Sequence, residues 1–311
     1  MVFGGCCTNA WTYEQLLIMS PQIGSALTFS QMLFITTQSL PSFLSFTDSR
    51  RLPRLKPRTV PLAQWMLQVL MLTASSLLIN WAYAYRVPLT VLIVFRSAGL
   101  AVSMLLGYLF LNKQYTPLQV LCVAVVSIGV VLATLSRPVL PSASGATQDD
   151  VRLYITGVSM LIMSSILTGI LGLLQEITYK TYGPCWKEGV FYTHLLSLPL
   201  FVFLSADIKR GISSLLGSNT TTSFVMSLTI LAGNLVSQLV CVSGVNRMTS
   251  RVSSVSTNLV LTARKALSLC LSVWWFGNGW NVQLSLGAVM VFLGSICFGL
   301  TTREKPKVKV S

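Results

Sequence analysis

The stretch VSSVSTNLVLTARKALSLCLSVWWF, Val252 to Phe276, is long enough to cross a bilayer and holds Arg264 and Lys265 near its middle. About twelve residues at roughly 1.5 Å each place Arg264 some 18 Å along a helix. That is near the centre of a hydrocarbon layer about 30 Å thick. A basic pair there costs several kcal/mol unless it meets water or a partner. At about 100° per residue, Ser254, Asn258, Thr262, Lys265, Ser268 and Ser272 fall within an arc of about 120°. Val255, Leu259, Val260, Ala263, Ala266, Leu267 and Cys270 take the rest. One side of the helix is a polar stripe centred on Lys265, suited to a wet cavity that accepts anions. The alternative is a buried ion pair with Glu14 or Glu176. Two cations in one turn exceed what one carboxylate needs.

Composition sets the class. Of 311 residues, 53% are hydrophobic and 10% charged, which describes an all-α polytopic membrane protein. The net charge of +14 then marks cytosolic loops more readily than nucleic-acid binding. The seven cysteines are scattered through apolar runs and one basic loop, and read as small packers or free thiols. No basic n-region precedes the first apolar run, so a cleaved signal peptide is not expected.

Apolar runs at about 2–19, 25–46, 62–85, 88–111, 117–136, 153–178, 189–206, 223–244, 252–276 and 282–301 predict about ten spans. An even number puts both termini on one side. With that side cytosolic, cytosolic segments hold 14 of the 22 basic residues and the opposite loops hold 5. This bias orients the chain. The one Asn-x-Ser/Thr sequon, at Asn219, then lies on the lumenal or exterior side, where glycosylation occurs. The Pro/Ser/Ala/Gly-rich segment 137–152 reads as a lumenal linker between two five-span halves, 1–136 and 153–301. A basic tail, 302–311, follows. Arg96 in span 4 matches the basic pair in span 9, and Gly129 and Gly294 match in the spans that follow. An odd number of spans per half inverts the second relative to the first. That arrangement predicts a five-plus-five inverted repeat with a site at the membrane midplane.

Few residues could carry chemistry. Arg96 either neutralises an anion from the opposite wall or snorkels to a carbonyl. Asn9 and Tyr13 share a face of span 1 and could hydrogen-bond a base or sugar. Glu14 points elsewhere and suits an internal counter-ion for Arg96 or Lys265. Glu176 and Lys180 are spaced for an intrahelical pair. His194 is the only histidine, so no histidine-based metal cluster or paired acid–base system exists. It packs through a hydrogen bond or, as neutral imidazole, donates to a nucleobase carbonyl. No nucleotide-hydrolase, zinc-protease, serine-hydrolase or paired-carboxylate signature is present. An enzyme, cofactor or metal is therefore not expected. An integral-membrane transferase would need acidic or histidine constellations that eight acidic residues and one histidine do not supply.

Several segments, in order, resemble nucleotide-sugar transporters of the drug/metabolite transporter superfamily: Gly5-Cys6-Cys7-Thr8-Asn9 with Glu14, Phe29-Ser30-Gln31-Met32-Leu33-Phe34, Gln175-Glu176-Ile177-Thr178-Tyr179-Lys180, Lys187 through His194, and Leu261-Thr262-Ala263-Arg264-Lys265. The likeness spans nearly the whole chain and is strongest to the branch carrying UDP-N-acetylglucosamine and UDP-xylose. It implies ten helices and exchange of a cytosolic UDP-sugar for lumenal UMP across the Golgi or endoplasmic reticulum membrane. Tyr192, Thr193 and His194 correspond to the family's nucleotide contact, and Arg264 and Lys265 to its phosphate and sugar contact. Thr193 stands where the family usually has Asn, and a hydroxyl cannot make the two-sided contact of an amide. Another nucleotide anion, such as the sulfate donor PAPS, is the alternative cargo. Lys307 and Lys309 resemble a Lys-x-Lys-x-x retrieval signal read by coat proteins. A homodimer is compatible with this reading, and nucleic acid is not a partner.

Overall fold

The computed structural model describes residues 1–20, 23–45, 54–84, 89–135, 148–216, 221–275 and 282–303. They are almost entirely helical: α1 (Val2–Met19), α2 (Gly24–Phe43), α3 (Leu62–Ala84), α4 (Leu89–Leu111), α5 (Pro117–Leu135), α6 (Gln148–Tyr182), α7 (Trp186–Ser197), α8 (Ser205–Leu216), α9 (Thr221–Thr249), α10 (Ser254–Trp275) and α11 (Val282–Arg303). A two-residue antiparallel pairing joins β1 (Leu44–Ser45) to β2 (Arg54–Leu55). Among the described residues, four segments are long and apolar enough to cross a membrane: Leu62–Ile79, Arg152–Tyr182, Trp186–Ser214 and Val225–Thr249. Shorter apolar helices cover Gly99–Leu111, Pro117–Leu132 and Ser285–Thr301. This is a polytopic membrane protein. α1 falls short of the four because Asn9, Thr12, Glu14 and Gln15 dilute its apolar run.

Two boundaries differ from the sequence expectation. α6 starts at Gln148, inside the expected linker. The expected span 189–206 is broken: after α7 the chain tightens into a 3₁₀ turn, Leu198–Leu204, before α8. Pro199 has no N–H to give the helix and forces the change. Elsewhere the chain stops as its residues dictate. Pro117 opens α5, Asn112 ends α4 in the left-handed region at φ 47, and Gly183 follows α6 at φ 85.

The helices form two compact units, Met1–Val69 with Ile177–Arg251, and Leu70–Glu176 with Val252–Ser311. In the second, Leu100, Met104, Val123, Val126, Val255, Leu259, Ala263 and Val291 form the core of α4, α5, α10 and α11. In lipid, apolar side chains gain little by choosing each other over acyl tails, so close backbone approach has to hold helices together. Gly129 and Gly294 supply it between α5 and α11. A Cβ on Gly129 would stand 2.8 Å from Gly287 O, and one on Gly294 3.1 Å from Cys122 O. Backbone cannot retreat from such a clash. Gly129→Ala should cost about 1–3 kcal/mol, the usual range for overpacking. A lowered melting temperature of the detergent-solubilised variant would register this, and an unchanged one would refute it.

In the first unit, α1 packs along α9, and Cys6 and Cys241 form a disulfide. This corrects the reading of all cysteines as packers or free thiols. The two lie 235 residues apart, and their spacing carries no signal of pairing. Among the described residues, Cys7, Cys122, Cys185 and Cys297 are outside any disulfide. Burial first, then the charge of Glu188, pushes the Cys185 thiol above its ordinary pKa, so it stays protonated at neutral pH.

Candidate functional site

The stripe on α10 is built as an amphipathic helix. Val255, Leu259, Ala263 and Ala266 are buried in the core of the second unit, and the polar stripe runs along the flank of the helix beside them, about 100° round. Along that face Ser254 is buried, Asn258 and Thr262 are half-buried and Lys265 is exposed. Arg264, one residue round, is half-buried. Asn258 Nδ2 donates to Ser103 Oγ of α4 at 2.5 Å. Thr262 Oγ1 donates to Asn258 O at 2.8 Å, so its hydroxyl still accepts. The face thus offers amide, hydroxyl and ammonium groups in ascending turns, a set that suits phosphate and hydroxyl groups. Arg96 lies on α4, but its side chain falls outside the described residues, as do Asn219, Lys307 and Lys309.

The α7 residues belong to the first unit. Tyr192 is 5% exposed, in a cluster with Val60, Trp65, Tyr179 and Phe191. Its ring meets Phe191 edge-on at 5.0 Å and Phe43 at 6.3 Å. Thr193 Oγ1 donates to Gly189 O at 2.6 Å. His194 Nδ1 lies 2.7 Å from Val190 O, and a carbonyl only accepts, so Nδ1 carries the proton. The neutral ring is left with Nε2 as an acceptor. Donation to a nucleobase carbonyl by the neutral ring, one of the roles the sequence allowed, is therefore unavailable in this arrangement.

On α1, Asn9 joins a polar knot with α2 and α9. Its Nδ2 donates to Asn234 O at 3.2 Å. Asn234, fully buried, donates Nδ2 to Thr12 Oγ1 at 3.0 Å and accepts Gln31 Nε2 at 2.6 Å. Interhelical bonds of this kind contribute about 1 kcal/mol each in membranes. Tyr13 packs beside Leu16, Ile23 and Leu27, and Glu14 is half-buried.

Sequence reasoning missed two residues, Asn234 and Glu188, and the long-range partners of a third, Glu176. Asn234 left a signal, an amide in the middle of an apolar run. Glu188 is 5% exposed and accepts Thr59 N–H at 3.0 Å, Val60 N–H at 3.1 Å and Trp65 Nε1–H at 3.4 Å, fastening the end of the basic segment to α7. Glu176 does more than its spacing to Lys180 suggests. It pairs with Lys113 at 2.5 Å and accepts Ser254 N–H at 2.8 Å. Neither carboxylate's partner is near it in sequence.

The chain is similar over almost its whole length to curated transporters. It is 35% identical to a UDP-N-acetylglucosamine transporter of Schizosaccharomyces pombe, over 98% of this chain and 95% of that protein. It is 31% identical to a UDP-xylose and UDP-N-acetylglucosamine transporter of Danio rerio, over 96% and 91%. It is 30% identical to an endoplasmic reticulum GDP-fucose transporter of Drosophila melanogaster, over 96% and 88%. A solved crystal structure shares the fold at a TM-score of 0.64 and 12% identity, covering 97% of this chain and 95% of that one. The profile of the UAA transporter family matches residues 1–301. With ordered helices, a mid-helix basic pair and this match along the chain, the protein belongs to the UAA transporter family.

Proposed function

We propose that the protein is a nucleotide-sugar antiporter. It moves UDP-N-acetylglucosamine, UDP-xylose or both from the cytosol into the endoplasmic reticulum or Golgi lumen and returns UMP by alternating access. The activity of the family is transport, not chemistry on a substrate. The observation that carries the assignment is Lys265, exposed on the polar face of a helix whose adjacent face is core. An ammonium there suits a diphosphate as its partner. Arg264, Asn258 and Thr262 complete that face, with Arg96 the matching cation of α4. In the first unit, Tyr192 and Thr193 are the proposed nucleoside contacts, with His194 Nε2 as an acceptor, and Tyr13 and Glu14 are further candidates; Asn9 is instead held by Asn234.

The five-plus-five inverted repeat gains support from the helix pairings. Counting α7 with α8 as one span, α2 packs on α7, α4 on α10 and α5 on α11. Each pair is a span with the span five later, as a two-fold relation between halves 1–136 and 153–301 requires. The first span bonds the eighth through Asn9 and Asn234, and the third bonds the sixth through Ser75 and Ser164 at 2.9 Å. These two pairings exchange under the same relation. The charge bias supports cytosolic termini. Lys307 and Lys309 then belong to the cytosolic side and Asn219 to the lumenal side.

The relatives named for UDP-sugars and for GDP-fucose make the base and sugar the decisive measurement. Purified protein in UMP-loaded vesicles should take up labelled UDP-N-acetylglucosamine. Unlabelled UDP-xylose should compete, and GDP-fucose and PAPS should not. Uptake blocked by PAPS but not by UDP-sugars would reverse the assignment. Turnover of the nucleotide without uptake would make the protein an enzyme.

A further inference from the structure

One face of α6 carries Gly169, Gly172 and Glu176, at i, i+3 and i+7. A Cβ on Gly169 would stand 2.5 Å from Leu106 and 3.0 Å from Val102 of α4. One on Gly172 would stand 3.5 Å from Ser254 Cβ of α10. Glu176, 2% exposed, ends the row. Its Oε1 takes Lys113 Nζ of the α4–α5 loop, and its Oε2 takes the first backbone N–H of α10. That N–H has no partner inside its own helix, and a carboxylate there also meets the positive end of the helix dipole. The left-handed Asn112 turns the loop back, and Lys113 N–H bonds Gly107 O at 3.2 Å. One carboxylate thus fastens the end of α4, the end of α6 and the start of α10, all within the second unit.

What lies under the clasp is not content to stay dry. Tyr115 OH, within the field of Glu176, and Ser254 Oγ, on the residue whose N–H the carboxylate holds, are buried without a hydrogen-bond partner in the protein. Burial, then the charge of Glu176, pushes the Tyr115 phenol up to about 12. Buried hydroxyls without acceptors favour any arrangement that admits water. An ion pair therefore holds shut a seam whose lining gains by opening, which is the makeup of a two-state element.

We propose that Glu176 is the latch of this seam. It is a positioning residue that keeps the first turn of α10 and the α4–α5 loop against α6, and its release opens the cytosolic side during transport. The proposal rests on the antiport reading and its orientation. α10 carries Lys265 three turns further on, so ligand held there biases the latch through whatever preference it has for the open position.

The test uses the full chain in sealed vesicles with the cytosolic face outward. Ser254→Cys is labelled with a membrane-impermeant maleimide, against the same chain without it to subtract native thiols. Glu176→Gln keeps an acceptor for Ser254 N–H but removes the charge that holds Lys113. It should speed labelling at least about tenfold, since losing one partner of a buried pair releases more than that. Lys113→Gln should do the same with Glu176 intact, so the outcome does not hang on the folding of one variant. Both should also raise uptake into UMP-free vesicles towards the UMP-loaded rate, which a merely structural residue would not do. Equal labelling rates in all three, with the dependence on UMP intact, overturn the latch. Labelling only from the lumenal side overturns the orientation beneath it, and no exchange by the parent overturns the transport reading. Both of these are read without either latch variant.

Discussion

Lys265→Ala should abolish nucleotide-sugar exchange while the protein still folds. The substituted position is exposed, whereas the core face of α10 is made by Val255, Leu259, Ala263 and Ala266. Alanine is the best helix former, so α10 itself loses nothing. What disappears is the ammonium on the polar face. In the loaded, closed carrier that ammonium and the diphosphate would be desolvated together, and removing one partner of such a pair costs about 2–5 kcal/mol, or roughly 30- to several-thousand-fold. Lys265→Arg should keep part of the activity, because charge persists but a planar fork replaces a compact point charge. Exchange of UDP-N-acetylglucosamine for UMP in vesicles, beside a melting curve, measures both variants. Near-normal uptake by the Lys265→Ala protein would remove α10 from the site.

Uptake of UDP-sugar should be several-fold faster into vesicles preloaded with UMP than into empty ones. The argument is from charge. Lys265 and Arg264 sit near mid-helix, and a cation enters low dielectric at least cost with an anion travelling beside it. A loaded carrier presents them with phosphate, while an empty one has to turn without it. A UDP-sugar carries about two negative charges, and UMP nearly two once its second phosphate proton is lost, with a pKa near 6. Near neutral pH the exchange is close to electroneutral, and a membrane potential should alter it little. Below about pH 6 the UMP monoanion dominates, by the same pKa. Each cycle then carries one net negative charge inward, and a lumen-positive potential should accelerate it. Equal rates into empty and loaded vesicles, or uptake driven mainly by a proton gradient, would sink the mechanism and make Glu14 and His194 the residues to test.

Helices, their order and the face of α10 that enters the core were legible in the sequence because each is a short-range pattern. Periodicity separated Ala263 and Ala266 from Lys265. Gly129 and Gly294 stood out as matched glycines, and they meet the backbone of the partner helix in one interface. The break in the seventh span was available from Pro199 but was outweighed by an unbroken apolar run. What stayed hidden depends on long-range pairing. Nothing near Glu176 in sequence points to Lys113 or Ser254, and nothing near Cys6 points to Cys241. The same holds for Asn9: its residue type promised a ligand contact, but its amide is engaged by Asn234, 225 residues away.

The tie between α1 and α9 has a mechanical consequence. A disulfide at Cys6–Cys241 and, about one turn along α1 and two along α9, the amide knot at Asn9–Asn234 are two separate fastenings along one pair of helices. Two fastenings remove both sliding and pivoting, so α1 and α9 can only travel as one strut. Bending within their unit then has to be taken up elsewhere, and the 3₁₀ turn at Leu198–Leu204 is the segment built for it, since Pro199 has already broken the ladder there. A reductant would cut one fastening and leave the other. The strut would regain a pivot about Asn234 with no change in its amino-acid sequence.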